Sequence, residues 1–216
     1  MSFHLIPDVL DAAAIDAIRD SMAEIDFFDG RSTAGRDAAT RKANMQAAPS
    51  PARNAILKMA QNAISAHPVF MSAARPRHMT PLLLSRYEPG QSYGYHVDNA
   101  LMGGIRTDLS FTLFLSDPDT YEGGALEIDE TDGARSIRLE AGAMIVYPST
   151  LLHSVTPVTK GQRLAIVGWV ESWVRDAEDR SILFDLDRVH ASLPDGSLRD
   201  TLAKASSNLL RRLAGR

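Results

Sequence analysis

The chain has 216 residues, 44% of them apolar, and no cysteine. That allows a buried core and excludes disulfide scaffolds, thiolate zinc sites and thiol nucleophiles, so any metal must be held by histidine and carboxylate. A formal net charge of −4 gives no overall pull towards nucleic acid, and the longest clean apolar run, 164–170, is too short to span a bilayer.

The first twenty residues carry aspartates where a secretion signal is apolar, so a cytoplasmic protein is expected. By pattern, one domain divides into three zones: helical support to about residue 80, a β core over 81–174 and a helical segment over 175–216. Asp11 is placed to cap a first helix, with Leu10 and Ile15 as a hydrophobic staple and Ile15, Ile18, Met22 and Ile25 at helical spacing. Ser50 and Pro51 open a second helix as N-cap and first helical residue; its stripe is Ile56, Met59 and Ile64, and it ends before Pro68. The polar stretch 29–46 reads as a long loop or an edge strand, and "RPRH" at 75–78 as a solvated basic turn. From residue 81, "PLLLSRY", "YGYHV", "LSFTLFL", "GALEI", "SIRL", "AMIVY", "LLHSV" and "RLAIVGWVESW" alternate with turn signals. Such a series predicts an antiparallel sandwich or barrel. Helical spacing returns after 175, broken by "LPDGS"; its apolar stripes would cover the barrel or meet a second copy in a homodimer.

His96 and Asp98 stand one residue apart in "YGYHVDNAL". In a strand, residues i and i+2 share a face, so both would project inward with Val97 outward. A second histidine from another strand would complete a two-histidine, one-carboxylate face, the set that suits ferrous iron and leaves coordination positions open. On its own such a pair is more often a turn or a satisfied hydrogen-bonded pair than a ligand set. His4 lies near a terminus, His67 precedes a proline, His78 is in the basic turn and His190 on a surface helix, which leaves His153 in the sheet zone. Arg163 follows ten residues later, beyond the turn-like "TKGQ". A hairpin there would set its guanidinium deeper in the same barrel. A buried arginine is costly unless it meets an anion, and its planar fork matches a carboxylate. The plain alternative is a strand-initial arginine with its head in solvent.

The segments "RYEPGQSYGYHVDNA", "RTDLSFTLFLSDPDTYEGGALEI", "AGAMIVYPSTLLHSVTPVTKGQRLA" and "SWVRDAEDRSILFDLD", with "DGRSTAG" and "RKANMQ" upstream, cover most of the chain. In these it resembles the iron(II)- and 2-oxoglutarate-dependent dioxygenases, more narrowly the bacterial PKHD-type hydroxylases, relatives of prolyl and lysyl hydroxylases. The resemblance implies a mainly β fold, a double-stranded β-helix (jelly roll) with N-terminal and C-terminal helices. It makes His96, Asp98 and His153 the ligands of Fe(2+), Arg163 the partner of the distal carboxylate of 2-oxoglutarate, and Tyr87 a second contact to that carboxylate. Many relatives carry a serine two residues after the arginine, where this chain has Ala165. Asp98 favours hydroxylation, because related halogenases lack this carboxylate. The implied reaction hydroxylates an unidentified small-molecule or peptidyl substrate with dioxygen, as 2-oxoglutarate is decarboxylated to succinate and carbon dioxide. L-ascorbate is implied as an auxiliary reductant, and neither nucleic acid nor membrane as a partner. The rival readings are a non-catalytic jelly-roll metal-binding or iron-sensing protein and a cupin-like dioxygenase that uses no keto acid. The segment 99–107 is either a lid or a plain connection, and Arg31, Lys42, Asn44 and Gln46 would line the entrance.

Overall fold

Side-chain alternation along the strands between residues 81 and 172 sets the architecture. The computed structural model describes residues 3–33, 35, 39–131 and 133–214. Its strands are β1 (His4–Ile6), β2 (Phe27–Asp29), β3 (Lys42–Ala43), β4 (Met45–Ala47), β5 (Pro76–Met79), β6 (Leu83–Tyr87), β7 (Ser92–His96), β8 (Leu101–Met102), β9 (Ile105–Arg106), β10 (Leu109–Phe114), β11 (Tyr121–Gly123), β12 (Leu126–Glu130), β13 (Gly133–Ile137), β14 (Met144–Pro148), β15 (His153–Val155), β16 (Val158–Gly161) and β17 (Arg163–Ser172). The α-helices are α1 (Ala12–Ser21), α2 (Pro51–Ala66), α3 (Pro68–Ala74), α4 (Ala177–Ser192) and α5 (Ser197–Leu213).

The main sheet runs β1-β14-β10-β17-β6-β4-β2, with β5 on the far end of β17, and the smaller one runs β13-β12-β15-β7-β3. On one face of the main sheet Leu82, Leu84, Phe111, Leu113, Met144, Val146 and Ile166 join Ile15, Ile18, Ile56, Ile64 and Phe70 of the helices in the principal core. On the other face Phe114, Ile145 and Tyr147 meet Leu126, Ile128 and Ile137 of the smaller sheet. Strands β10 and β14 are buried throughout. Elsewhere the inner face turns to Ser85, Tyr87, Ser110, Thr112 and Arg163, and the sheets part around a cavity of about 780 Å³.

The helix starts follow the sequence. Asp11 accepts the Ala14 N–H at 2.8 Å and Ser50 the Arg53 N–H at 3.1 Å, each meeting a donor the first turn leaves unpaired. Four details differ. Met59 is exposed rather than part of the buried stripe of α2. Pro68 does not merely end α2 but opens α3, its missing N–H costing nothing in a first turn. The "RPRH" segment is β5, not a turn; its ladder to β17 brings Arg77 and His78 to Glu171. The strands of His153 and Arg163 form no hairpin: β16 lies between them, pairing with β11, so β15 belongs to the smaller sheet and β17 to the main one. The stretch 29–46 begins at the end of β2, the edge of the main sheet, and contains β3, the edge of the smaller one, and most of β4, which lies between β2 and β6; residues 34 and 36–38 lie outside the described ones. Helix α5 rests on α4 and buries no residue fully.

Candidate metal centre and adjoining pocket

His96 closes β7 and His153 opens β15; the strands are neighbours and the two histidines face each other across the ladder. Asp98 lies beyond the end of β7, yet its carboxylate still points inward while Val97 is exposed. The imidazole centroids are 4.3 Å apart, and one ligand atom from each of His96, Asp98 and His153 lies within 4.8 Å of the others. Each ring donates its Nδ1–H to a backbone carbonyl two residues earlier, His96 to Gly94 at 2.9 Å and His153 to Leu151 at 3.0 Å. This leaves both Nε2 lone pairs facing Asp98, at 3.9 and 3.6 Å from its oxygens. Burial, reinforced by His153, brings the His96 pKa down to about 4, so its ring is neutral at neutral pH.

The carboxylate is held from behind. Asp98 Oδ2 accepts the Ser110 hydroxyl at 2.6 Å, and Ser110 shares a 2.8 Å hydrogen bond with Ser149. Tyr93 stacks on His96 at 3.6 Å, and Tyr147 meets His153 edge-on at 5.2 Å. Burial pushes both phenols up, so they stand as neutral walls. Two imidazoles and one carboxylate brought this close together form a donor set that fits iron(II).

Arg163 opens β17 directly opposite Tyr87, the last residue of β6. It is 2% exposed, and among the described residues its guanidinium has neither an ion pair nor a hydrogen bond; Nε is buried with no partner. It lies against the rings of Tyr87 and Phe114, each centroid 5.2 Å from Cζ. Burial also raises the Tyr87 pKa. Both residues line the cavity that holds the His–Asp–His cluster. Ala165 pairs with Ser85 across the ladder, so a hydroxyl-bearing residue stands beside it on the neighbouring strand.

Three comparisons bear on this geometry. A family model described as the 2OG-Fe(II) oxygenase superfamily matches residues 82–171. A PKHD-type hydroxylase of Picosynechococcus sp. is 47% identical over 214 residues, covering 97% of this chain and 98% of its own. Another, from Maricaulis maris, is 46% identical and covers 99% of both. The chain belongs to the PKHD-type hydroxylases. In fold it is similar to a Pseudomonas putida prolyl-4-hydroxylase, with a TM-score of 0.56 at 20% identity over 79% of this chain and 92% of that one. The architecture is the double-stranded β-helix, and the chain is a 2-oxoglutarate- and iron(II)-dependent oxygenase.

For a PKHD-type hydroxylase, the structure brings His96, Asp98, His153, Arg163 and Tyr87 to one cavity, together with Lys42, Asn44 and Gln46. Arg31 is not among its walls; it is exposed and bound to Asp29. Segment 99–107 is a two-stranded hairpin whose Arg106 is tied to Asp108, Glu171 and the Ser172 carbonyl. Sequence reasoning missed Ser110, Ser149, Tyr93 and Tyr147. Ser110 had a signal: it and Thr112 are the polar residues of the otherwise apolar "LSFTLF", both on its inner face.

Proposed function

We propose that His96, Asp98 and His153 hold the iron, and that Arg163, with Tyr87 beside it, holds the distal carboxylate of 2-oxoglutarate. The observation that carries this reading is the buried guanidinium of Arg163, without an ion pair or hydrogen bond among the described residues, in the cavity of the cluster. A desolvated guanidinium without a counter-anion is strongly unfavourable, and a dicarboxylate supplies one. Held by these residues, iron(II) and 2-oxoglutarate would supply the oxygen-activating chemistry, leaving one atom of dioxygen in a substrate C–H bond and the other in succinate as carbon dioxide is lost. The side chains provide the setting. The carbonyls of Gly94 and Leu151 fix the two imidazole tautomers, Ser110 orients Asp98, and Tyr93 and Tyr147 keep water from the rings. L-ascorbate as a reductant that sustains turnover belongs to the same reading.

The substrate is a small molecule or a peptidyl group, and the reaction takes place in the cytoplasm without nucleic acid. The net charge of −4 supports the second point, and no helix among the described residues is long and apolar enough to cross a membrane. The test is succinate formation by iron-loaded protein given 2-oxoglutarate and oxygen. Slow succinate release without added substrate is expected, and it should require both the metal and oxygen. No succinate under these conditions refutes the reading.

A further inference from the structure

The cavity contains a second cation that neither the metal centre nor the Arg163 end uses. Lys42, on edge strand β3, is 7% exposed. Its ammonium donates to Thr33 Oγ1 at 2.8 Å and lies 5.3 Å from the centroid of Tyr93, the ring stacked on His96. Among the described residues it makes no ion pair. The carboxylates that act on it from a distance are committed elsewhere, Asp29 to Arg31 and Asp98 to Ser110 and the ligand cluster. One donor of three is used, and a buried ammonium in that condition is costly. Burial accordingly draws its pKa down to about 8.

Asn44, two residues along the same edge, is 2% exposed and also lines the cavity. Its amide sits close enough to the Tyr87 hydroxyl to influence that group, without meeting the geometry of a hydrogen bond. The same cavity also has an apolar lining: Leu83, Val167 and Trp169 from the main sheet, and Leu101, Met102 and Ile105 from the β8–β9 hairpin.

We infer that Lys42 is the anchor for a carboxylate on the hydroxylated substrate, which is a small monocarboxylic acid with an apolar body. This rests on the proposed roles of the cluster and Arg163. The formal charges of iron(II), Asp98, a dianionic co-substrate and Arg163 cancel. Among the described residues Lys42 then remains as one positive charge without an ion-pair partner, which a single substrate carboxylate neutralises. An amide or an internal peptide unit brings no such charge. The apolar wall takes the rest of the molecule, so the acid is oriented with one end fixed near Tyr93 and its body over the cluster.

The test uses iron-loaded full-length protein under anaerobic conditions with 2-oxoglutarate. Its probes are the N-acetyl derivatives of leucine, valine and phenylalanine, each compared with its carboxamide. Binding is read by calorimetry and by perturbation of the visible charge-transfer band. The acids should bind about tenfold or more tighter than their amides, and Lys42→Met should erase that preference while its affinity for 2-oxoglutarate stays the same. Lys42→Met should also melt at or above the wild-type temperature, because it removes a buried unpaired charge; a residue kept for folding would lower it. No acid preference, whether both members of a pair bind alike or neither binds, overturns the inference. So does a loss of 2-oxoglutarate affinity in the variant, which would put Lys42 in the co-substrate site. Calorimetry reports acid binding whether or not the band forms, so failure of the oxygenase assignment shows up separately.

Discussion

Asp98 owes its orientation to a serine that touches no metal. Ser110 occupies one carboxylate oxygen and is itself fixed by Ser149; both serines are buried and Asp98 is half-buried. Groups that orient a ligand in this way commonly affect metal affinity by one to two decades. Ser110→Ala should therefore weaken iron binding about 10- to 100-fold, measured by competition with a chelator, with little change in melting temperature. Unchanged iron affinity would mean that the backbone alone positions Asp98. This serine was visible in the sequence as a polar residue in an apolar strand, but its partner was not. Asp98 and Ser110 are joined only when the loop after β7 folds back over β10, and no local pattern encodes that.

Elements with a strong period were legible, and short ones were not. Strands β6, β10 and β17 alternate over five or more residues between helix-facing and cavity-facing positions, and the capped starts of α1 and α2 follow local chemistry. Strands β8, β9 and β16 have two to four residues each, too few to show alternation, so the insertion of β16 between the His153 and Arg163 strands left no trace. Glycines mark two of the turns with different consequences. Gly104, at the tip of the β8–β9 hairpin, has a φ of +83° and open space where a Cβ would be. Gly142 has a φ of +89°, and a Cβ there would lie 2.2 Å from the Leu10 carbonyl oxygen. Its own carbonyl accepts the N–H groups of Val9 and Leu10, which dock the N-terminal segment on the main sheet. Gly104→Ala should cost only the left-handed backbone penalty, about 1 kcal/mol, whereas Gly142→Ala adds a backbone collision and should cost about 3 kcal/mol or more. Urea unfolding of the two variants compares them directly; equal losses would show that the N-terminal docking contributes little.

For the molecule as a whole, the same burial that readies the site for metal makes the metal-free protein sensitive to acid. His96 titrates near 4 when folded, against 6.5 as an unperturbed group. Between those values the unfolded chain holds a proton that the folded chain does not, so stability falls as pH decreases through that window and levels off below about 4. Denaturant unfolding of metal-free protein from pH 7 to pH 4 should show this decline, and His96→Gln should flatten it. A stability independent of pH over that range would mean that the site relaxes and hydrates once its metal is gone.

The central assignment is that three ligands and one guanidinium serve a single iron and a single keto acid. Anaerobic titration of 2-oxoglutarate into iron-loaded protein, followed by the visible charge-transfer band, tests it most directly. The wild type should saturate at one equivalent per iron. His153→Ala should give no band, and Arg163→Met should give the same band with affinity reduced at least about thirtyfold, the equivalent of roughly 2 kcal/mol for a buried charge pair. A full band in His153→Ala, or unaltered affinity in Arg163→Met, would contradict it.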